Sequence, residues 1–186
     1  MSRREPRYDV PKKAPGSLRL VQEFLNTRNA EADLEWLDSP AALRRWLADR
    51  DFGSVRVSRA DLERAREVRE ALRELVRARG GGTSNRQAAR LLNRVADDAG
   101  MTVRFDESGD ASLGAAAGGV SGALGRILLL TAVAIVEGRW QRLKTCPNCR
   151  WAFYDYSRNC SAKWCSMTLC GNRLKTRSYY RRRREL

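Results

Sequence analysis

Apolar positions along this chain recur mainly at helical spacing. Leu20, Val21, Phe24 and Leu25 fall on one face and predict a first helix that begins near Leu18 and ends near Asn29. Ser39-Pro40 has the form of a helix start, with serine as N-cap and proline at the first helical position. Leu43, Trp46 and Leu47 then mark its buried face, and that helix should stop before Gly53. Ser58 and Asp61 have capping-box spacing and open a longer helix. Its stripe runs through Leu62, Ala65, Val68, Leu72, Leu75 and Val76. The other faces carry Glu63, Arg66, Glu70 and Arg73, opposite charges three or four residues apart. Ser84 and Gln87 repeat the capping signature, and Leu91, Leu92 and Val95 bury the helix that follows.

The period then changes. Met101 to Phe105 and Ala111 to Ala115 flank the turn residues Asp106 to Asp110 and predict a β-hairpin. Ser121 to roughly Leu143 predicts a long helix, apolar in its middle, that leads directly into a group of cysteines. Its most apolar run, Ile127 to Val136, lies between Arg126 and Glu137. At about ten residues it is short of the ~18 needed to cross a bilayer, so a buried core helix is expected. Gly80, Gly81 and Gly82 follow no strand and precede no Lys-Ser or Lys-Thr at phosphate-loop spacing, so they read as a linker. Residues 1–17 are charged, punctuated by Pro6, Pro11 and Pro15, and have no apolar signal core, which suggests a flexible basic leader. The expected organisation is a leader over 1–17, a helical domain over 18–138 and a cysteine-bearing module over 139–186. No internal repeat is visible, and the chain reads as a soluble cytoplasmic protein.

Charge separates these parts. The chain carries a net charge of +14. Residues 139–186 hold 13 Lys and Arg against 2 Asp and Glu, whereas residues 1–138 hold 23 against 20. Alternating Arg and Glu in the first part describe an ordinary solvated surface. The near-absence of acids in the last quarter points to a polyanionic partner.

All five cysteines fall in that quarter, and four of them stand at metal-ligand spacing. Cys146, Cys149, Cys165 and Cys170 read C-x2-C-x15-C-x4-C. Two close pairs suit a tetrahedral thiolate site, because each pair supplies two vertices. The chain has no histidine, so such a site must be built from sulfur, with carboxylates as the weaker option. Disulfides fit less well: the cysteine count is odd and no signal peptide is visible. One Zn2+ per chain is therefore expected. Cys146-Pro147-Asn148-Cys149 has the form of a zinc knuckle, and Trp151, Phe153 and Tyr154 predict a short strand or hairpin beneath it. Trp151 and Trp164 are assigned to a small core around the metal. The second cysteine pair should open a final helix, whose unsatisfied N–H groups favour thiolates. Cys160 lies between the pairs and is a competing ligand or a redox-active thiol.

At these residues the chain resembles a known bacterial family. Trp164-Cys165-Ser166-Met167 followed by Cys170-Gly171-Asn172-Arg173 resembles the CGNR-type zinc finger, and Asp155-x-Ser157-Arg158-Asn159 and Lys175-x-Arg177 extend the likeness over about 144–184. Phe24-Leu25-Asn26-Thr27 and the stretch from Asp38 to Leu47 are similar to the helical ABATE domain usually fused to this finger. The resemblance implies Cys146, Cys149, Cys165 and Cys170 as ligands and a stress-responsive transcription regulator as the function. It includes no cysteine at position 160. The implied fold is mainly α with a small β-hairpin: a helical N-terminal domain and a C-terminal four-cysteine zinc finger of knuckle, short hairpin and helix.

The basic residues of the last segment supply the candidate contacts. Asn172 and Arg173 suit adenine and guanine edges, or hold the finger together with Arg173 paired to Asp155. Lys175, Arg177, Arg181, Arg182, Arg183 and Arg184 are candidates for phosphate contact, and Tyr179 and Tyr180 for stacking or packing. The leading reading is a DNA-binding regulator whose helical domain senses a ligand or forms a homodimer. RNA binding and a protein-interaction module are the alternatives. No membrane partner is expected, and no small-molecule effector is specified. An enzyme is disfavoured, because no nucleophile motif is present and four thiolates close the metal's coordination sphere. Asp97-Asp98 reads as solvated helix surface.

Overall fold

The computed structural model describes residues 12–79 and 85–172, together with Thr176. Five helices build the body: α1 (Leu18–Leu25), α2 (Pro40–Ala48), α3 (Arg59–Arg79), α4 (Arg86–Asp98) and α5 (Gly119–Val136). Three antiparallel two-stranded ribbons accompany them: β1 (Arg28–Asn29) with β2 (Leu34–Glu35), β3 (Met101–Phe105) with β4 (Ala111–Ala115), and β5 (Leu143–Thr145) with β6 (Ala152–Tyr154). The architecture is mainly α with small β-ribbons, as the periodicity predicts.

Local chemistry fixes several boundaries as expected. The Ser39 hydroxyl accepts the Ala42 N–H at 3.2 Å and starts α2. Ser58 and Asp61 form a reciprocal capping box, with Ser58 N–H donating to the Asp61 carboxylate at 2.8 Å and Asp61 N–H to the Ser58 hydroxyl at 3.1 Å. The α3 stripe Leu62, Ala65, Val68, Leu72 and Val76 is buried.

Three boundaries differ from the sequence reading. The first helix stops at Leu25 instead of running to Asn29. Its apolar period ends where Asn26 and Thr27 bury polar side chains, and Thr27 donates its hydroxyl back to the Phe24 carbonyl at 2.7 Å. The chain then folds into the β1–β2 ribbon. Helix α4 is capped by Asn85, whose side chain accepts from Gln87 and Ala88 N–H at 3.0 and 3.1 Å. Ser84, expected as the cap, lies outside the described residues. Helix α5 ends at Val136 and does not reach Leu143, because Gly138 adopts a left-handed conformation at φ 72°. A 3-10 turn over Arg139–Arg142 and strand β5 follow it.

The apolar stretch within α5 is longer than the ten-residue run suggested. Its 18 residues have a mean hydropathy of 1.9, enough by length and composition to cross a membrane, and half of it is buried inside the fold. It packs against α1, α4 and β4, with Val120, Leu124, Ile127 and Leu128 in the core. Phe24 and Trp46 meet in the same core at 5.4 Å between ring centroids.

That core does not stop at residue 138. Trp140, Leu143, Ala152 and Tyr154 belong to the same buried cluster as the helical side chains. Burying a residue of the size of Trp140 or Leu143 contributes on the order of 2 kcal/mol. The β5–β6 ribbon is thus packed onto the body. Its outer edge is covered from the other end of the chain: Tyr154 N–H donates to the Lys12 carbonyl at 2.8 Å, and the Tyr156 hydroxyl to the Lys13 carbonyl at 2.6 Å. Ala14 is buried, and its N–H donates to the Gln22 side chain at 2.6 Å. Residues 12–14, read from sequence as part of a flexible leader, are therefore a strap across β6. Residues 1–11 lie outside the described residues.

Candidate metal centre

The knuckle is the turn between β5 and β6. Cys146 follows the first strand and makes backbone bonds across the loop: its N–H donates to the Trp151 carbonyl at 2.9 Å, and its carbonyl accepts the Arg150 N–H at 2.8 Å. Arg150 turns the chain at φ 57°. The second pair is carried by a separate turn. Cys170 N–H and Gly171 N–H both donate to the Ser166 carbonyl, at 3.0 and 3.1 Å, winding Met167–Gly171 into a single wide π turn. Gly171 lies close beneath the flexible end of the exposed Met167 side chain. A Cβ at that position would stand 2.7 Å from Met167 Sδ and 3.1 Å from Trp164 Cδ1.

These two turns bring the predicted four sulfurs together. The Sγ atoms of Cys146, Cys149, Cys165 and Cys170 all lie within 4.8 Å of one another, and all four residues are buried. Cys149 and Cys165 are 3.6 Å apart, as are Cys165 and Cys170. Thiolates bound at about 2.3 Å to a tetrahedral zinc stand roughly 3.8 Å from each other, so the cluster has the dimensions of a zinc tetrathiolate site. Each chain carries a site for one Zn2+. Cys160 is not part of it: its half-buried Sγ faces the Gln141 carbonyl at 3.6 Å, in a loop held at φ 49°.

The electrostatics of the cluster call for a cation. Hydrogen bonds from Cys149 and Cys165 hold the Cys146 thiol far below its ordinary range. The same crowding works against a second and third ionisation. The bond to Cys146 pushes Cys149 up to about 12, and bonds to Cys146 and Cys149, with burial, push Cys165 up as well. A dication at the centre removes this conflict by neutralising the thiolates it binds. Asn148 adds a donor to the sulfur shell, its side-chain nitrogen 3.6 Å from Cys170 Sγ and 3.2 Å from Glu31.

Around the sulfurs lies a small aromatic core of Trp151, Phe153, Trp36 and Trp164. Trp36, from the β1–β2 side, meets Trp151 edge-on with centroids 6.4 Å apart. Lys12 places its ammonium 4.9 Å from the Phe153 ring centre and donates to the Trp164 carbonyl at 2.7 Å. The loop between the cysteine pairs is pinned by Asp155, which is fully buried. Its carboxylate accepts from Lys144 Nζ at 2.7 Å, Ala162 N–H at 2.8 Å and Ser157 N–H at 2.9 Å. Burial disfavours its charge, but these donors outweigh burial and hold the carboxyl well below the usual range. The charged partner of Asp155 among the described residues is Lys144.

The helical body reaches the knuckle through polar groups that the sequence reading missed. Asn26 forms a two-way pair with Ala152, donating to its carbonyl at 2.9 Å and accepting its N–H at 2.7 Å. Arg73, read as a surface charge, is buried, and donates to the Arg150 carbonyl at 2.7 Å and the Leu25 carbonyl at 2.6 Å. Arg69, one turn earlier and also buried, grips Glu35 with two bonds of 2.7 Å. Glu70 bridges both guanidiniums. Burial alone would raise the Glu70 carboxyl, but Arg73 and Arg69 outweigh it and the net shift is downward. The available signal was position: Arg69 and Arg73 follow Ala65 at four-residue steps and so fall inside the apolar stripe.

Of the predicted contact residues, Asn172 is exposed beside Gly171. Arg173, Lys175, Arg177, Tyr179, Tyr180, Arg181, Arg182, Arg183 and Arg184 lie outside the described residues.

Comparison with known families matches residues 18–138 to ABATE, described as "Putative stress-induced transcription regulator", and residues 142–183 to the CGNR zinc finger. Neither is an enzyme family. No curated protein matches the chain. The chain belongs to the ABATE family and carries a C-terminal CGNR finger.

Proposed function

We propose that this ABATE-family chain is a zinc-dependent DNA-binding regulator of transcription, acting in the cytoplasm. The finger, with its arginine-rich C-terminal part, contacts DNA, and the helical domain senses a ligand or forms a dimer. The observation that carries this reading is the union of a closed, buried four-cysteine cluster with the charge excess of residues 139–186. Four thiolates leave zinc no open position, so the metal organises a surface and takes no part in catalysis. In sequence the cluster is followed by Arg173, which we assign with Asn172 to base edges, and by Lys175, Arg177 and Arg181 to Arg184, which we assign to phosphate contact. Asn172, exposed at the end of the π turn, is assigned to base reading.

Selection of duplexes from a random pool by the zinc-loaded full chain tests the assignment. Binding should weaken steeply with salt, with a log–log slope of roughly −4 to −6 for about five to seven phosphates. Changing Asn172 should cost about 1–3 kcal/mol on the selected site and little elsewhere. Preference for structured RNA at matched salt, or no nucleic-acid binding by the loaded protein, would overturn the DNA reading.

A further inference from the structure

The β3–β4 ribbon extends away from the core as an arm. Its register pairs Met101 with Ala115, Val103 with Leu113 and Phe105 with Ala111. Alternation therefore places all six of these residues on one face, with Thr102, Arg104, Ser112 and Gly114 on the other. Met101 and Ala115, at the base, are half-buried against the body. Farther out the same face is bare: Val103 is 56% exposed, Leu113 50% and Phe105 75%. Both strands have an unpaired outer edge among the described residues. A two-stranded ribbon with a bare apolar face is marginal in water by itself, and such a face marks an interaction site.

The tip of the arm selects the kind of partner. Asp106, Glu107 and Asp110 make it acidic on a chain of net charge +14. That tip repels nucleic acid and anionic membranes and favours a basic protein surface. Every copy of this chain is such a surface. An amphipathic ribbon is also self-complementary about a two-fold axis, where one apolar face meets its own copy and a strand edge runs antiparallel to itself. We propose that the β3–β4 arm is a homodimerisation surface: Val103, Phe105 and Leu113 of two copies pack together, and each acidic tip rests against the partner's basic surface. This goes beyond the function proposed above by naming the surface, and it holds whether or not the finger binds DNA. Three side chains per copy cover less than the ~800 Å² per partner of a standard interface, so the contact belongs with the weak, reversible ones.

Sedimentation equilibrium of the zinc-loaded full chain, from about 1 to 100 µM and without nucleic acid, tests the proposal. The native chain should titrate from monomer to dimer. A Phe105→Ser, Leu113→Ser double variant should weaken dimerisation at least about tenfold while keeping zinc content and circular dichroism unchanged. Glu107→Lys should weaken it by a smaller factor, and Ile135→Ser, on an exposed apolar residue at the end of α5, should leave it unchanged. Hydrogen exchange of residues 101–115 in the native chain gives a reading free of any variant, with protection rising as concentration rises. A native chain that stays monomeric to ~100 µM overturns the proposal, whatever else the arm binds. So does a double variant that dimerises as the native chain does.

Discussion

The helical body and the finger are stabilised in different ways. The body buries aliphatic stripes from all five helices, so its stability is spread over many contacts. The finger's own buried cluster consists of four cysteines and a few aromatic rings. A core that small does not hold itself together, and its remaining support is the metal and the body. The dependence is unequal. The body supplies Arg73, Asn26, Trp36 and Lys12 to the finger, and the finger returns mainly apolar cover through Trp140, Leu143 and Tyr154. Losing the metal should therefore undo the finger and leave the body folded.

The largest expected effect breaks this comparison at the metal. Replacing any of Cys146, Cys149, Cys165 or Cys170 with serine should abolish stoichiometric zinc and unfold the finger, since structural zinc supplies about 10 kcal/mol or more. Most of the helical circular dichroism should remain. Cys160→Ser should alter neither zinc content nor folding. Zinc retained by Cys165→Ser and lost in Cys160→Ser would contradict the ligand set.

Removing the finger tests the opposite direction. A fragment of residues 18–138 should fold as a helical body but melt earlier than the body of the full chain. It lacks Trp140, Leu143 and Tyr154, each contributing roughly 2 kcal/mol of burial. An unchanged melting temperature would mean that the shared core adds nothing.

A third change cuts the bridge between the regions. Arg73→Met leaves the Arg150 and Leu25 carbonyls without their donor. The cost should be about 2–4 kcal/mol, and zinc loss to a chelator should quicken about tenfold, because the knuckle turn is released. Native retention of zinc in this variant would make the bridge a feature of the body alone.

The smallest effect concerns pH. The Asp155 carboxyl lies below its unfolded value, so its contribution is complete above the ordinary carboxylate range. It is lost as pH falls through the depressed folded value. Asp155→Asn should lower stability at neutral pH by about 1–3 kcal/mol and flatten the acid limb of the stability profile. An unchanged acid limb would place the acid sensitivity elsewhere.

The same two regions differ in how much of them was legible in the sequence. In the finger, spacing marked a four-sulfur site, because a metal site depends on a few residue types at short range. Cys160, however, stands at the same gap before Cys165 as Cys165 before Cys170, and it was the family resemblance that favoured Cys165. In the body the stripes and the caps at Ser39 and Ser58 were plain. Features that depend on distant partners were not. Nothing local distinguishes Lys12 from the rest of a basic leader until β6 offers it an edge. Arg69 and Arg73 look like surface charges until Glu35 and the Arg150 carbonyl face them. The end of α5 is a different case. Gly138 was visible, but Trp140 and Leu143 beyond it kept a helical spacing that masked its left-handed turn.

The proposed function requires that zinc assemble a DNA-contacting surface in the C-terminal part of the chain. The most direct measurement is the fluorescence anisotropy of a selected duplex titrated with full-length protein, before and after zinc removal by a chelator, across a range of salt. The account predicts binding that requires zinc, returns when zinc is restored and falls steeply with salt. Binding indifferent to zinc or to salt, or none by the fully loaded protein, would contradict it.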